Sequence, residues 1–418
     1  MRVLWLCNTN MDPDAEREAG GGWISSLKEQ IAKVDDIQLG ICYCPGKNKG
    51  AGRKERDGIT YYAYQKKIWP PEYYDESVEY EFRRILKEYR PDIVHIFGTE
   101  FPHTLAMVKA FHNPERTVIH IQGMVSVYAK HYYAFLSERI VKRNTFRDFV
   151  KNDNIEKQRE KFQIRGQYEI AAIKNVNHVM GRTNWDYECT KKINPNVKYH
   201  YVQEMMREPF YHGEWKYEKC EKHSIFMSQG NYPIKGLHIM LRALKELVKK
   251  YPDIRLYIAG TDITDMSTVS KRIRASYYQI YIINLIKKWK LGKYVHFTGN
   301  LNAQDMKEQF LKANVFVSAS SIENSPNSIG EAMLLGVPVV SSDVGGVSSI
   351  IEHGKEGYLY PAEHWKDLVK YVDKVFMNGA GVTINKCAQN RALAQYHRET
   401  IVRELIECYK DIDMSADR

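Results

Sequence analysis

Short β-branched or aromatic runs alternate with longer amphipathic stretches along the whole 418-residue chain, and this alternation points to parallel sheets built from βα units. Strand candidates in the first half are residues 3–7, 38–44, 60–64, 93–97, 117–121, 178–181 and 198–202. In the second half they are 224–228, 255–259, 295–298, 315–318, 338–341 and 357–360. Helical patterns separate them, as at 237–250, where Leu237, Leu241, Leu244, Leu247 and Val248 form one stripe. The chain exceeds the roughly 250 to 300 residues at which a single core stops growing, so two domains are expected. Residues 203–222 lack a period and are dense in charge, which makes them the expected linker. The expected architecture is α/β, with two Rossmann-like doubly wound domains facing a cleft, 1–205 and 206–396.

The most informative stretch is VFVSASSIENSPNSIGEAMLLGVPVVSSDVGG, residues 315–346. A strand ends near Ser318, a polar loop follows, and a helix begins at Ile329. Exposed N–H groups and the positive end of the dipole make such a helix start a site for an anion such as a diphosphate. Glu323 and Glu331, eight residues apart, flank it and suit sugar hydroxyls rather than phosphates. Ser328-Ile329-Gly330-Glu331 also reads as a capping box, in which Glu331 bonds back to Ser328. A second strand, loop and helix, residues 227–244, places Lys235 at a helix mouth, either as a phosphate partner or as a solvated charge. Gly20, Gly21 and Gly22 open a third helix and suggest close backbone approach to a ligand. No Walker A, HExxH or GxSxG motif occurs.

In order and spacing these stretches resemble the group 1, glycogen-synthase-like retaining glycosyltransferases of GT-B fold. The resemblance spans the chain: the early glycines, PDIVHIFG at 91–98, IKGLH at 234–238, LYIAG at 256–260, VHFTGNL at 295–301, the E-x7-E pair, GVPVVSSDVGG at 336–346 and HGKEGYLYP at 353–361. It implies that Glu323 contacts the donor hexose and Glu331 the ribose. It also implies that the backbone of Asn327, Ser328 and Ile329 faces diphosphate and sugar, and that Thr298, Gly299 and Leu301 lie near the base. Gly21 and Gly22 would approach the donor phosphates, and a final helix, 397–418, would complete the first domain through Ile401, Leu405 and Tyr409.

The sequence departs from the family pattern in three places. The usual phosphate-binding Arg is Gly230, leaving Lys235 without that neighbour. The usual T-x-H-G histidine is Gln122, and His120 lies on the same strand face as a partial substitute or a core histidine. The Glu often found after the last Gly-Gly is Ser349.

The implied reaction is retaining transfer of a hexose from a nucleotide-diphosphate sugar to a saccharide or lipid-linked hydroxyl, with no metal or cofactor, in polysaccharide or glycolipid assembly. A nucleotide-sugar epimerase or a non-catalytic sugar-nucleotide-binding protein are the alternatives.

Charge bears on the partner. The formal balance is 61 − 51 = +10, and residues 101–200 alone contribute 17 − 9 = +8. No nucleic-acid motif accompanies the surplus, so no nucleic-acid partner is expected. Residues 128–165 mix aromatics with Lys and Arg, as a surface meeting anionic lipid headgroups does, or as a solvated helix pair does. Seven cysteines without paired ligand spacing read as reduced thiols. The N-terminal apolar run is too short for a signal-peptide core and no stretch reaches a membrane span, so the expected setting is cytoplasmic, peripheral at the inner membrane face.

Overall fold

The computed structural model describes residues 1–14, 22–46, 49–68, 70–378 and 382–416. They form two compact units, Met1–Ala129 with Lys161–Met206 and Tyr396–Arg418, and Lys130–Glu160 with Arg207–Gln395. Residues 130–160, expected in the first domain, group with the second unit.

The first unit holds an eight-stranded sheet of order β3-β4-β2-β1-β5-β6-β7-β8. Its strands are β1 Arg2–Cys7, β2 Gln38–Tyr43, β3 Gly52–Arg56, β4 Ile59–Ala63, β5 Ile93–Phe97, β6 Thr117–His120, β7 His178–Gly181 and β8 Lys198–Tyr201. All neighbours pair in parallel except β3 with β4. The strand missing from the expectations is β3, because Gly-Arg-Lys-Glu-Arg is exposed at every position and carries no apolar period. A short, charged, antiparallel edge also protects the sheet against further pairing.

Strand β1 is central, and its apolar residues feed both sheet faces: Val3, Trp5 and Cys7 one, Leu4 and Leu6 the other. On the first face the C-terminal helix Arg398–Ala416 buries Ile401, Leu405, Tyr409 and Ile412. The Tyr409 hydroxyl accepts from Trp5 Nε1 (2.9 Å) and meets His95 Nδ1 (2.6 Å), which ties that helix to β1 and β5.

The second unit holds a parallel six-stranded sheet of order β11-β10-β9-β12-β13-β14. Its strands are β9 Ser224–Met227, β10 Arg255–Ile258, β11 Val295–Phe297, β12 Val315–Ser318, β13 Val339–Ser342 and β14 Tyr358–Tyr360. The expected linker is only partly a linker. Trp215 is buried, its indole N–H donating to the Ala313 carbonyl (2.7 Å), so this stretch is structured into the unit. All seven cysteines are free, and burial pushes the thiols of Cys7 and Cys42 up. Among the described residues no helix is long and apolar enough to cross a membrane.

Candidate functional site

In the second unit the strand order reverses between β9 and β12, and doubly wound sheets hold ligands outside the carboxyl ends of the strands at such a reversal. The chain leaving β9 makes a short 3-10 turn, Pro233–Lys235, then enters the helix Leu237–Lys250 through Gly236. The loop leaving β12 runs beside it, the Ser321 N–H donating to the Ile234 carbonyl (2.8 Å). Gly236 has φ 68°, and a Cβ there would stand 1.8 Å from the Ala319 carbonyl oxygen, so only glycine lets the two loops come this close.

That approach joins Lys235 to Glu323. Lys235 Nζ donates to Glu323 Oε1 (2.5 Å), which also accepts from Ser320 Oγ (2.7 Å). Burial disfavours the ammonium, but the Glu323 charge and Tyr232 outweigh it and hold the Lys235 pKa above its ordinary value. The Glu323 backbone is fixed in turn, its carbonyl accepting from the Gly346 N–H (3.0 Å). At Gly345, φ 56°, a Cβ would lie 1.9 Å from that carbonyl oxygen.

Next to this pair begins the helix Asn327–Leu335, two residues earlier than expected, with Pro326 as N-cap and no side-chain cap bond. Its first turn carries Asn327, Ser328 and Ile329, and its dipole favours an anion at this end. The capping-box alternative for Glu331 is not found. The helix starts ahead of Ser328, and both Glu331 oxygens are taken by Arg207, Nε to Oε1 at 2.6 Å and Nη2 to Oε2 at 2.8 Å. Burial raises the Glu331 pKa and the Arg207 charge opposes that rise. Arg207 is the residue sequence reasoning missed. The one usable signal was physical: a buried glutamate requires a cation.

The other expected donor-side residues border the same sheet end. Thr298 follows β11, donating its N–H to the Ile258 carbonyl (3.0 Å), and the Gly260 N–H donates to the Gly299 carbonyl (2.9 Å). Beside Gly299 a Cβ would meet nothing within 4 Å, so this rim is open, and Leu301 on it is half-buried. Gly230 is buried, and a Cβ there would press on Leu237 Cδ2 and Ile258 Cγ2, each at 3.1 Å. An Arg would enter that position only if both side chains shifted.

In the first unit, His120 ends β6 and is buried against Trp23, His95 and Phe97, with both ring nitrogens lacking a partner among the described residues. Burial, then the neighbouring His95 and Arg182, push its pKa well down, so the ring is neutral. The Gln122 carbonyl accepts from Arg182 Nη2 (2.9 Å), and Arg182 pairs with Glu204 at 2.7 Å. Gly22 opens the helix Gly22–Ile31, whereas Gly20 and Gly21 lie outside the described residues.

Two parallel-sheet units of these strand orders, one with an uncapped helix mouth at its reversal point, define the GT-B class of fold. Solved structures agree. The sucrose-phosphate synthase of Thermosynechococcus elongatus superposes with TM-score 0.72 over 99% of both chains at 15% identity. HepE of Anabaena in complex with UDP-glucose does so with TM-score 0.67 over 98% of this chain and 100% of its own, also at 15% identity. Residues 213–398 match the family described as glycosyl transferases group 1. Spore coat protein SA of Bacillus subtilis is 21% identical over 180 residues, 42% of this chain and 46% of that protein. The chain spans less than half the length of the curated relatives it matches first.

Proposed function

We propose that the chain transfers a hexose from a nucleotide-diphosphate sugar to a hydroxyl of a saccharide or lipid-linked acceptor, with retention at the anomeric carbon and without a metal or cofactor. The observation that carries this is the Lys235–Glu323 pair beside the uncapped start of the helix that bears Glu331. A diphosphate at the helix mouth meets a dipole and a lysine held in its charged form, while the two carboxylates are acceptors for hexose and ribose hydroxyls. As the glycosidic bond breaks, its electron pair leaves with the diphosphate. Lys235 and the first-turn amides then stabilise the growing charge, and the leaving phosphate takes the acceptor proton. The family match and the UDP-glucose bound by HepE support this donor class. Peripheral contact with an anionic membrane completes the reading.

The experiment is a thermal-shift panel of UDP-, GDP-, ADP- and TDP-sugars followed by transfer assays. One donor is expected to raise the melting temperature, by about 2.7 kcal/mol of stabilisation at a hundredfold excess over Kd. No shift with any donor would overturn the assignment, and a shift without product would leave a sugar-nucleotide-binding protein.

A further inference from the structure

The short helix Phe146–Lys151 is built inside out. Phe146, Phe149 and Val150 stand at i, i+3 and i+4, the spacing of a core-facing stripe, yet they are between 65% and 78% exposed, whereas Asp148 is buried. Asp148 holds the helix in this orientation. Its carboxylate accepts from the Thr145 N–H (3.1 Å) and from the Tyr277 N–H (2.7 Å), and Thr145 Oγ1 donates to the Ala275 carbonyl (2.8 Å). These bonds dock the helix beside residues 275–277 of the same unit.

The segment entering that joint repeats the pattern. The helix Val269–Ile273 has no buried residue and exposes Val269 and Ile273 at i and i+4, 68% and 53% exposed. Residues 139–147 and 266–276 contain no Asp or Glu and carry Arg139, Lys142, Arg143, Arg147, Lys271, Arg272 and Arg274, of which Lys142 pairs with Glu138, Arg147 with Asp148 and Asp153, and Lys271 with Asp265. Arg139, Arg143 and Arg274, with Lys151 at the end of the first helix, form no ion pair among the described residues. Two segments about 125 residues apart in the chain thus present exposed apolar side chains with unneutralised cations at one joint.

We infer that this joint is the membrane-docking surface of the chain, with an anionic lipid bilayer as its occupant. Phenylalanine and branched aliphatics enter the headgroup–acyl boundary while the surrounding arginines and lysines meet the anionic surface, a combination that neither a purely polar ligand nor a neutral bilayer satisfies. The inference rests on the peripheral contact in the function proposed above and not on the transfer reaction.

The test is co-sedimentation of the full chain with vesicles of phosphatidylcholine alone and of phosphatidylcholine with phosphatidylglycerol. Partition into the anionic vesicles should exceed that into the neutral ones by at least about tenfold. Phe146→Ser with Phe149→Ser should lower it about tenfold, and Arg139→Glu with Arg143→Glu and Lys151→Glu should abolish it. All the changed side chains are exposed, so the far-UV spectrum and any donor-induced melting shift should match the parent chain. Binding to neither vesicle, binding unaffected by the substitutions, or a self-association lost in the same variants would overturn the inference. Loss of the donor shift in the parent chain would strike only the transfer reaction.

Discussion

Arg207 grips Glu331 with two parallel hydrogen bonds, Nε to Oε1 at 2.6 Å and Nη2 to Oε2 at 2.8 Å, and so ties the chain entering the second unit to the helix at its candidate donor site. Each carboxylate oxygen keeps a further lone pair, so the ion pair can orient Glu331 toward a ribose without using up its acceptors. Removing the cation leaves a buried charge. Arg207→Ala should therefore destabilise the protein by about 3 kcal/mol, the lower end of the range for a broken buried pair because the arginine is partly exposed.

That penalty has a pH sign. Burial already holds the Glu331 pKa above the ordinary glutamate value, and losing Arg207 removes the influence that opposes it. A carboxyl whose folded pKa lies above its unfolded one favours the fold at low pH and loses that contribution as pH rises through the folded value. The stability gap between parent and Arg207→Ala should thus be wide at pH 8 and narrow toward pH 5. Urea midpoints at the two pH values measure it, and an unchanged gap would mean that Glu331 finds another partner.

Lys235→Ala tests the charge-stabilising role. It should lower kcat at least about a hundredfold, the scale for removing one electrostatic contact to a developing anion, while donor KM changes less. Glu323 is buried and keeps only the Ser320 Oγ bond to its carboxylate once the cation is gone, so the melting temperature should fall as well, and turnover is measured below the melt of the variant. Steady-state kinetics beside a thermal melt separate the two outcomes, and near-normal turnover would remove Lys235 from the chemistry.

Much of this site is legible in the sequence because its parts are local. The strands with β-branched or aromatic runs declare themselves, and Lys235, Glu323 and Glu331 follow strand ends at helix starts. What stayed hidden is long-range or runs against pattern. The partner of Glu331 lies 124 residues away, in a stretch that reads as linker. Strand β3 is all exposed Gly and charge and forms only because β4 offers it an edge. Residues 130–160 follow the first domain in sequence, yet hydrogen bonds such as Asp148 to Tyr277 and His238 Nε2 to the Ala134 carbonyl (2.8 Å) tie them into the second unit. No local period encodes such contacts.

The two loops at the site meet only because Gly236 has no side chain. A Cβ there would overlap the backbone carbonyl of Ala319, which cannot swing away as a side chain could, whereas at Gly354, also at positive φ, it would meet nothing. Gly354→Ala should cost only about 1 to 2 kcal/mol, the strain of a left-handed alanine. Gly236→Ala should cost well beyond that and should also separate Lys235 from Glu323. The check is chemical denaturation of both variants with titration of the donor found in the thermal-shift panel. Equal losses of stability in the two would show that backbone strain, and not the loop contact, is what Gly236 relieves.

The buried histidines of the first unit set its acid limit. Burial pulls His95 and His103 down to about 3, far under the ordinary value near 6.5. A histidine with a depressed folded pKa binds its proton only after unfolding. Each therefore lowers stability by about 1.4 kcal/mol per pH unit below about 6.5, the loss levelling off as pH approaches the folded value. His103 is the clean probe, because neither ring nitrogen has a partner among the described residues and its replacement breaks no bond seen there. His103→Leu should be close to neutral at pH 7.5 and more stable than the parent at pH 5, by about 2 kcal/mol. Unfolding free energies at the two pH values, taken with proton uptake on unfolding, should show one fewer proton bound by the variant. An identical pH slope in parent and variant would mean that His103 is already protonated in the fold.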